Sequence, residues 1–406
     1  MNGFRIEAKA PDTAATSSRR GPRAVTPRRW AIVTVEYPPT LGGVSDYTRA
    51  VAVSLAARGD EVHVFAPDCG SDMPSEAGIT VHRLPGRFGV RALLAINRAL
   101  DRLSGPFQLL VQYVPQGLGW KGANLPFSYW LQSRAGDAPW VMFHEVALPL
   151  VRGMRVAQYI RARAMRLMAR VVVRSAARIF VSTPAWGAFL TEIAGESVQT
   201  QWLPIPSNVA TNVEMSDTRR VRAHFERTGQ GRLIGHFGVT GHGGAENLCE
   251  TLVRLLRSHS DCSGLLIGRQ STEVVARVLR DHADLSGRLY ATGALRLDDI
   301  AAHLSACDLL IQPYPDGVTG RRTSVMAGLA LGVAIVTVDG HLTEGIWRES
   351  SAVALAPNDS AAALVVAADR LLSNRVERAR LGAAAKALYR HHFSVEHTIQ
   401  ALCGVE

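Results

Sequence analysis

Two adjacent arginines, Arg321 and Arg322, stand in the stretch DGVTGRRTSVMAGLALG at 316–332. An apolar run of strand character, Asp308–Pro313, precedes them, and an apolar run of helical length follows. A loop between a strand end and a helix start is where α/β proteins bind anions. The first N–H groups of such a helix lack carbonyl partners and carry its positive end. Thr323 or Ser324 is the expected N-cap, so the N–H groups of Thr323–Val325 would face the loop. A guanidinium adds a planar fork of donors that matches phosphate. The competing reading is a solvated pair, or an arginine bridged to a carboxylate elsewhere. Asp316 opens the same loop.

Other residues share this placement. His144 and Glu145 end the apolar run Trp140–Phe143, and strand ends face the ligand crevice in open α/β sheets. His144 is placed to donate a hydrogen bond to a hydroxyl or to accumulating charge, or is a histidine satisfied at the core's edge. Gly42 and Gly43, in YPPTLGGVSDYT, follow the first strand, where they either make a tight turn or let backbone approach a ligand. Ser45 is the expected cap of the helix that follows. Gly238-Val-Thr-Gly-His-Gly-Gly244 repeats that logic later in the chain, with Gly238, Thr240, Gly241 and Gly243 as phosphate-loop candidates. It does not match G-x-G-x-x-G and has no acidic ribose clamp, which disfavours a dehydrogenase. No D-x-D pair precedes a nucleotide site, so no metal is expected. The five cysteines are widely spaced without C-x-x-C, which opposes a zinc site or a disulfide framework and fits reduced, cytoplasmic thiols.

Strand-like runs alternating with helical ones must position these residues. The first half reads as strands near 30–36, 61–66, 79–84, 107–113, 140–145, 178–182 and 201–203. The second half restarts with strands near 233–237, 264–267, 289–292, 308–312 and 334–338. Such alternation predicts parallel sheets with right-handed crossovers. Two series predict an α/β protein of two Rossmann-like domains facing across a cleft. The expected division is a basic disordered tail at 1–29, a first domain at 30–207 and a linker at 208–213. A second domain follows at 214–388, and a terminal helix at 389–406 is expected to pack back toward the first domain. A length of 406 residues suits two domains.

Net charge is +10, yet aromatics are only 6%, which weakens a nucleic-acid reading. The tail holds Arg19, Arg20, Arg23, Arg28 and Arg29; Glu7 and Asp12 oppose a transit peptide, and no apolar region makes it a secretory signal. No run is long and uncharged enough to span a bilayer. The segment 152–177 reads as a long basic amphipathic helix carrying Arg152, Arg155, Arg161, Arg163, Arg166, Arg170 and Arg174. It is either a packed helix with a cationic solvated face or a peripheral contact with a membrane's inner surface.

Taken together, YPPTLGGVSDYT at 37–48, FVSTPAW at 180–186, LPIPSNV at 203–209, ATGALRLDDIAAHLSACDLLIQPYPDG at 291–317 and GLALGVAIVTVDGHLTEGI at 328–346 resemble family-4 glycosyltransferases of the GT-B fold. The resemblance covers roughly residues 30–400. It implies retaining, metal-independent transfer of a sugar from a nucleotide diphosphate donor to a hydroxyl acceptor, with no cofactor. By the same resemblance Gly42 and Gly43 border the donor's phosphates and sugar, and His144 lies near the transferring sugar. Thr292, Gly293, Ala294 and Leu295 fall where backbone groups read the base. The family's paired glutamates, anchored on Gly332, fall at Thr319 and Ala327, neither of them acidic; Asp316, close to the first position, is implied to bind sugar hydroxyls in place of that glutamate. Its usual Arg and Lys around the second glycine loop are also missing. Arg321 and Arg322 are the replacement cations, which makes the chain a divergent branch; the alternative is a GT-B module that binds nucleotide sugar without catalysis.

Overall fold

The computed structural model describes residues 28–71, 76–225, 231–238 and 244–404. Of the expected tail, residues 1–27 lie outside the described residues, as do Thr240, Gly241 and Gly243 of the second glycine loop.

Among the described residues the chain forms two wholly parallel sheets. The first comprises β1 (Arg29–Thr34), β2 (Glu61–Pro67), β3 (Ile79–Leu84), β4 (Gln108–Tyr113), β5 (Trp140–Phe143), β6 (Arg178–Val181) and β7 (Gln201–Trp202), in the order β3-β2-β1-β4-β5-β6-β7. The second comprises β8 (Arg232–Phe237), β9 (Cys262–Ile267), β10 (Leu289–Ala291), β11 (Leu309–Gln312), β12 (Ile335–Val338) and β13 (Ala354–Ala356), in the order β10-β9-β8-β11-β12-β13. Helices on both faces explain why the strands read as unbroken apolar runs rather than alternating ones. Trp30, Ala31, Ile32 and Val33 are all buried, for example, with Ile32 in register with Val64 and Leu110. Each sheet therefore separates two apolar clusters, one on either face. Each fully buried Ile, Leu or Val contributes about 1.5–3 kcal/mol relative to exposure.

The strand order reverses between β1 and β4 in one sheet and between β8 and β11 in the other, and ligand crevices open beyond the carboxyl ends of strands at such points. The two edges face each other across a cleft. Their loops also touch: Ile205 N–H donates to the carbonyl of Gly320 at 2.9 Å, and a Cβ on Gly320 would stand 2.9 Å from the Trp202 ring. The last helix, Val395–Cys403, packs on the helix Gly43–Ala57, where Ile399, Leu402 and Cys403 share a cluster with Val51 and Leu55.

Several local expectations are corrected. The basic helix runs Val156–Ser175 instead of 152–177, because Gly153 has a φ of 82° and Arg155 is an extended N-cap. Ser45 does not cap the helix Gly43–Ala57; its hydroxyl donates to Thr40 O at 2.6 Å, and Gly42 is the N-cap. Neither Thr323 nor Ser324 is the cap of the helix Thr323–Leu331, whose N-cap is Arg322. Two helices without a strong sequence signal, Leu125–Ser133 and Met215–Phe225, fill connections.

Candidate functional site

Loops after β1 and β5 meet the loop after β11. A cavity of about 230 Å³ lies between them, lined by Glu36, Gly43, His144, Glu145, Ser182 and Arg321, among others. A second cavity of about 230 Å³ brings Gly42, Gly43, Asp46, Asn208, Arg269 and Thr323 together. Both take residues from each sheet's half of the chain.

His144 follows β5 directly and is 8% exposed. Burial pulls its imidazole down to about 3, so the ring is neutral across ordinary pH. Its Nε2 lies 2.8 Å from Gln112 Oε1, and Tyr47 meets the ring edge-on at 4.9 Å. The Gln112 oxygen can only accept, so Nε2–H donates to it and Nδ1 is left as an acceptor. The ring is therefore placed to accept from a substrate hydroxyl, which corrects the expected donation to a hydroxyl or to developing charge. The carbonyl of His144 accepts from Trp186 Nε1 at 2.9 Å and Ser182 Oγ at 3.2 Å, which fixes the strand end. Beside it, burial holds the Glu145 carboxyl above its ordinary range against the pull of Arg321 and a hydrogen bond from Gln116.

The arginine loop is anchored from beneath. Both oxygens of the buried Glu344 accept from Gly320 N–H at 3.1 Å, and one accepts from Trp347 Nε1 at 2.6 Å. Burial still raises the Glu344 carboxyl above its usual range. Gly317, at a φ of 98°, lies so close to Thr343 Oγ1 and Gly340 that a Cβ would collide with both. The guanidinium of Arg321 sits over the Trp186 ring at 5.3 Å, and that of Arg322 over the Tyr314 ring at 4.4 Å. Arg322 is 3.9 Å from Asp316, a loose pair, whereas Arg321 has no ion pair within 4.0 Å among the described residues. The Nε atoms of both are buried without a partner. Burial, then the charge of Arg322, lowers the Arg321 guanidinium from its ordinary value, with Glu145, Asp316 and Glu344 opposing. Two crowded cations with open donors make a local deficit of negative charge.

The remaining candidates are placed as follows. Gly238, at a φ of 110°, lies beside Ser324, where a Cβ would stand 3.6 Å from its side chain. The first helix turn at Thr323 thus meets the end of β8. Ser324 Oγ is engaged by Tyr314 Oη at 2.6 Å. Thr292 N–H donates to Leu266 O at 3.0 Å and Gly293 N–H to Ser271 Oγ at 2.9 Å, so neither N–H is available to read a base, and that task falls to the carbonyls here and to the backbone of Ala294 and Leu295. Thr319 and Ala327 are fully buried, with Ala327 in the core of its helix, so no carboxylate replaces the expected pair there.

Three residues escaped the sequence reading. Glu36 Oε1 accepts from Val44 N–H at 3.0 Å and Ser45 N–H at 3.1 Å, and a Cβ on Gly42 would collide with that carboxylate. The first helix end is therefore already occupied by a protein anion. Arg269, just beyond β9, supplies a third cation at the cleft. Glu344 is the buried anchor already described. Glu36 and Arg269 both follow strand ends, so the rule that found His144 would have found them.

Two doubly wound α/β units, closed over cavities that both of them line, define the GT-B architecture. Residues 42–206 match the family described as Glycosyl transferase 4-like domain, and residues 232–374 match Glycosyl transferases group 1. The chain is thus a GT-B protein joining a glycosyl transferase 4-like domain to a group 1 domain, the domain pair of sugar-transferring enzymes. It is similar in structure to a sucrose-phosphate synthase from Thermosynechococcus elongatus (TM-score 0.69, 17% identity, covering 92% of this chain and 97% of that one). It is also similar to Anabaena Alr3699/HepE in complex with UDP and glucose (0.61, 15%, 92% and 97%). WaaG, a glycosyltransferase involved in lipopolysaccharide biosynthesis, is a third neighbour (0.62, 14%, 92% and 100%). No curated protein matches the chain in sequence. Among the described residues no helix is long and apolar enough to cross a membrane.

Proposed function

We propose that the chain moves a hexose-type sugar from a nucleotide diphosphate sugar to a hydroxyl acceptor, with retention and without a metal. The observation that carries this is the meeting of Arg321, on the loop after β11, with His144 and Glu145, at the end of β5, around one cavity. Arg321 and Arg322 stabilise the diphosphate as the bond to the sugar breaks, together with the N–H groups of Thr323–Val325. Arg269 adds a third positive charge from the strand beside Gly238. Asp316 orients Arg322 and offers its carboxylate to sugar hydroxyls. His144, neutral, accepts a hydrogen bond from the transferring sugar. The acceptor oxygen forms the new glycosidic bond, and its proton leaves with the diphosphate; no protein nucleophile is assigned. The UDP and glucose held by the Anabaena neighbour support a nucleotide sugar as the ligand class. In this reading residues 30–207 hold the acceptor, 214–388 the donor, and 208–213 link them. The enzyme works in the cytoplasm, which the absence of any disulfide among its five free cysteines suits.

Release of nucleoside diphosphate from a panel of donors, with and without hydroxyl acceptors, tests the reading. Wild type should turn over at least one donor, and Arg321→Ala/Arg322→Ala should not. The second reading, a binding module without catalysis, is favoured by Ala327 where the resembled family has a carboxylate. Donor binding with no turnover over a broad acceptor panel would establish it.

A further inference from the structure

The helix Val156–Ser175 buries one stripe, Ala162, Met165, Met168, Ala169 and Val172, against the first domain. Its opposite stripe is also apolar. Val156, Tyr159, Ile160 and Leu167 recur at helical spacing and are 75%, 48%, 62% and 41% exposed. A helix packed on a sheet normally turns polar side chains outward, so this second apolar face has no role in the fold. The first turn also projects, because every residue from Arg155 to Ile160 is exposed.

Charge follows the same pattern. Between residues 146 and 191 the sequence has eight arginines and no carboxylate. Two in the second half of the helix are engaged: Arg166 pairs with Glu192 at 3.0 Å and Arg170 donates to Ile193 O at 2.7 Å, whereas Arg174 in the last turn is exposed. Arg152, Arg155 and Arg163 are exposed and have no carboxylate partner among the described residues. Arg152 and Arg155 stand at the positive end of the helix, where cations are disfavoured, and no acidic residue or side-chain cap offsets them there.

Topology fixes where this surface lies. A helix that follows a parallel strand begins at that strand's carboxyl edge, so this helix starts at the same edge as His144. At the same edge β4, beside β5, and β1, next beyond it, are followed by loops with exposed apolar residues, Trp120 at 56% and Leu41 at 71%.

We propose that the projecting start of this helix docks the enzyme on an anionic lipid bilayer, with Val156, Tyr159 and Ile160 entering the interface and Arg152, Arg155 and Arg163 at the level of the phosphates. An exposed helix end carrying both apolar and cationic groups fits an anionic lipid surface. Docking there turns the cleft's edge toward the bilayer. It rests on the proposed transfer only in implying a hydroxyl acceptor carried by a lipid.

Cosedimentation of the full chain with vesicles tests it, comparing neutral phosphatidylcholine with vesicles containing about one third phosphatidylglycerol. Wild type is expected to bind the anionic vesicles at low salt and to be released by high salt. Arg152→Gln/Arg155→Gln/Arg163→Gln should weaken binding on the order of 100-fold, from about 1 kcal/mol per charge near the surface. Val156→Ser/Ile160→Ser should weaken it at least tenfold with charge unchanged. These residues lie outside the site, so turnover of a soluble acceptor should stay within twofold of wild type. Unchanged binding in both variants would assign any vesicle affinity to the basic amino-terminal tail and overturn the proposal. So would retention on heparin without vesicle binding. Vesicle binding by a chain that turns over no donor would uphold the surface while refuting the transferase reading.

Discussion

Replacing Arg321 with methionine separates function from structure because the two roles predict opposite effects on stability. Arg321 is a partly buried cation beside a second cation, without an ion pair within 4.0 Å among the described residues. If it served the fold, its loss should lower the melting temperature. If it waits for an anion, methionine should keep the contact with the Trp186 ring while removing charge repulsion and a buried unpartnered Nε. The melting temperature should then hold or rise. The catalytic cost follows from Coulomb's law. At the 3.9 Å that separates Arg322 from Asp316, a guanidinium attracts one negative charge by about 4 kcal/mol at an effective dielectric of about 20. Arg322, Arg269 and entering water recover part of this. A loss on the order of 2–3 kcal/mol remains, roughly 30- to 150-fold in kcat/KM. The assay is nucleoside diphosphate release under kcat/KM conditions, paired with thermal unfolding of the same samples. A kcat/KM within threefold of wild type would refute the diphosphate role. A fall of several degrees in melting temperature that accounts for lost activity would refute the reasoning about stability.

Arg269→Ala should raise the donor KM about tenfold with little change in melting temperature, measured by donor titration. Glu344→Ala strands the N–H groups of Gly320 and Trp347 in the interior and should cost about 3 kcal/mol in denaturant unfolding, while Glu344→Gln, which can still accept, should cost less. Gly317→Ala places a methyl group against Thr343 and Gly340 in a left-handed backbone and should cost at least about 3 kcal/mol, with loss of activity through the displaced arginine loop. His144 and His236 are depressed to about 3 and about 4 by burial, so the unfolded chain binds their protons first. The stability they confer is full above pH about 6.5 and is lost as pH falls toward those values, by up to about 1.4 kcal/mol per pH unit for each. Asp46, Glu145 and Glu344, raised by burial, act in the opposite sense over their own range. Unfolding followed from pH 7 to pH 4 should show the decline, and His236→Gln should flatten it.

The architecture is legible in the order of residues. Buried parallel strands have to be continuous apolar runs, so Trp30–Val33 and Leu265–Ile267 announce themselves, and their alternation with helices leaves few topologies. The order of residues also determined that His144 and Arg321 stand at strand-to-loop junctions, because that placement is local. Tertiary structure decided what those junctions face. That Arg321 and His144 line one cavity depends on how two sheets dock, through contacts such as Ile205 with Gly320 that no periodicity encodes. Glu36 occupying the first helix end, and Glu344 reaching back to Gly320 across 24 residues, are likewise long-range hydrogen bonds. The helix caps depend on packing in the same way. Ser45 and Ser324 carry the side chains that favour capping, but the helices begin at Gly43 and Thr323, so both serines lie inside the first turn, and their hydroxyls bond Thr40 O and Tyr314 Oη instead.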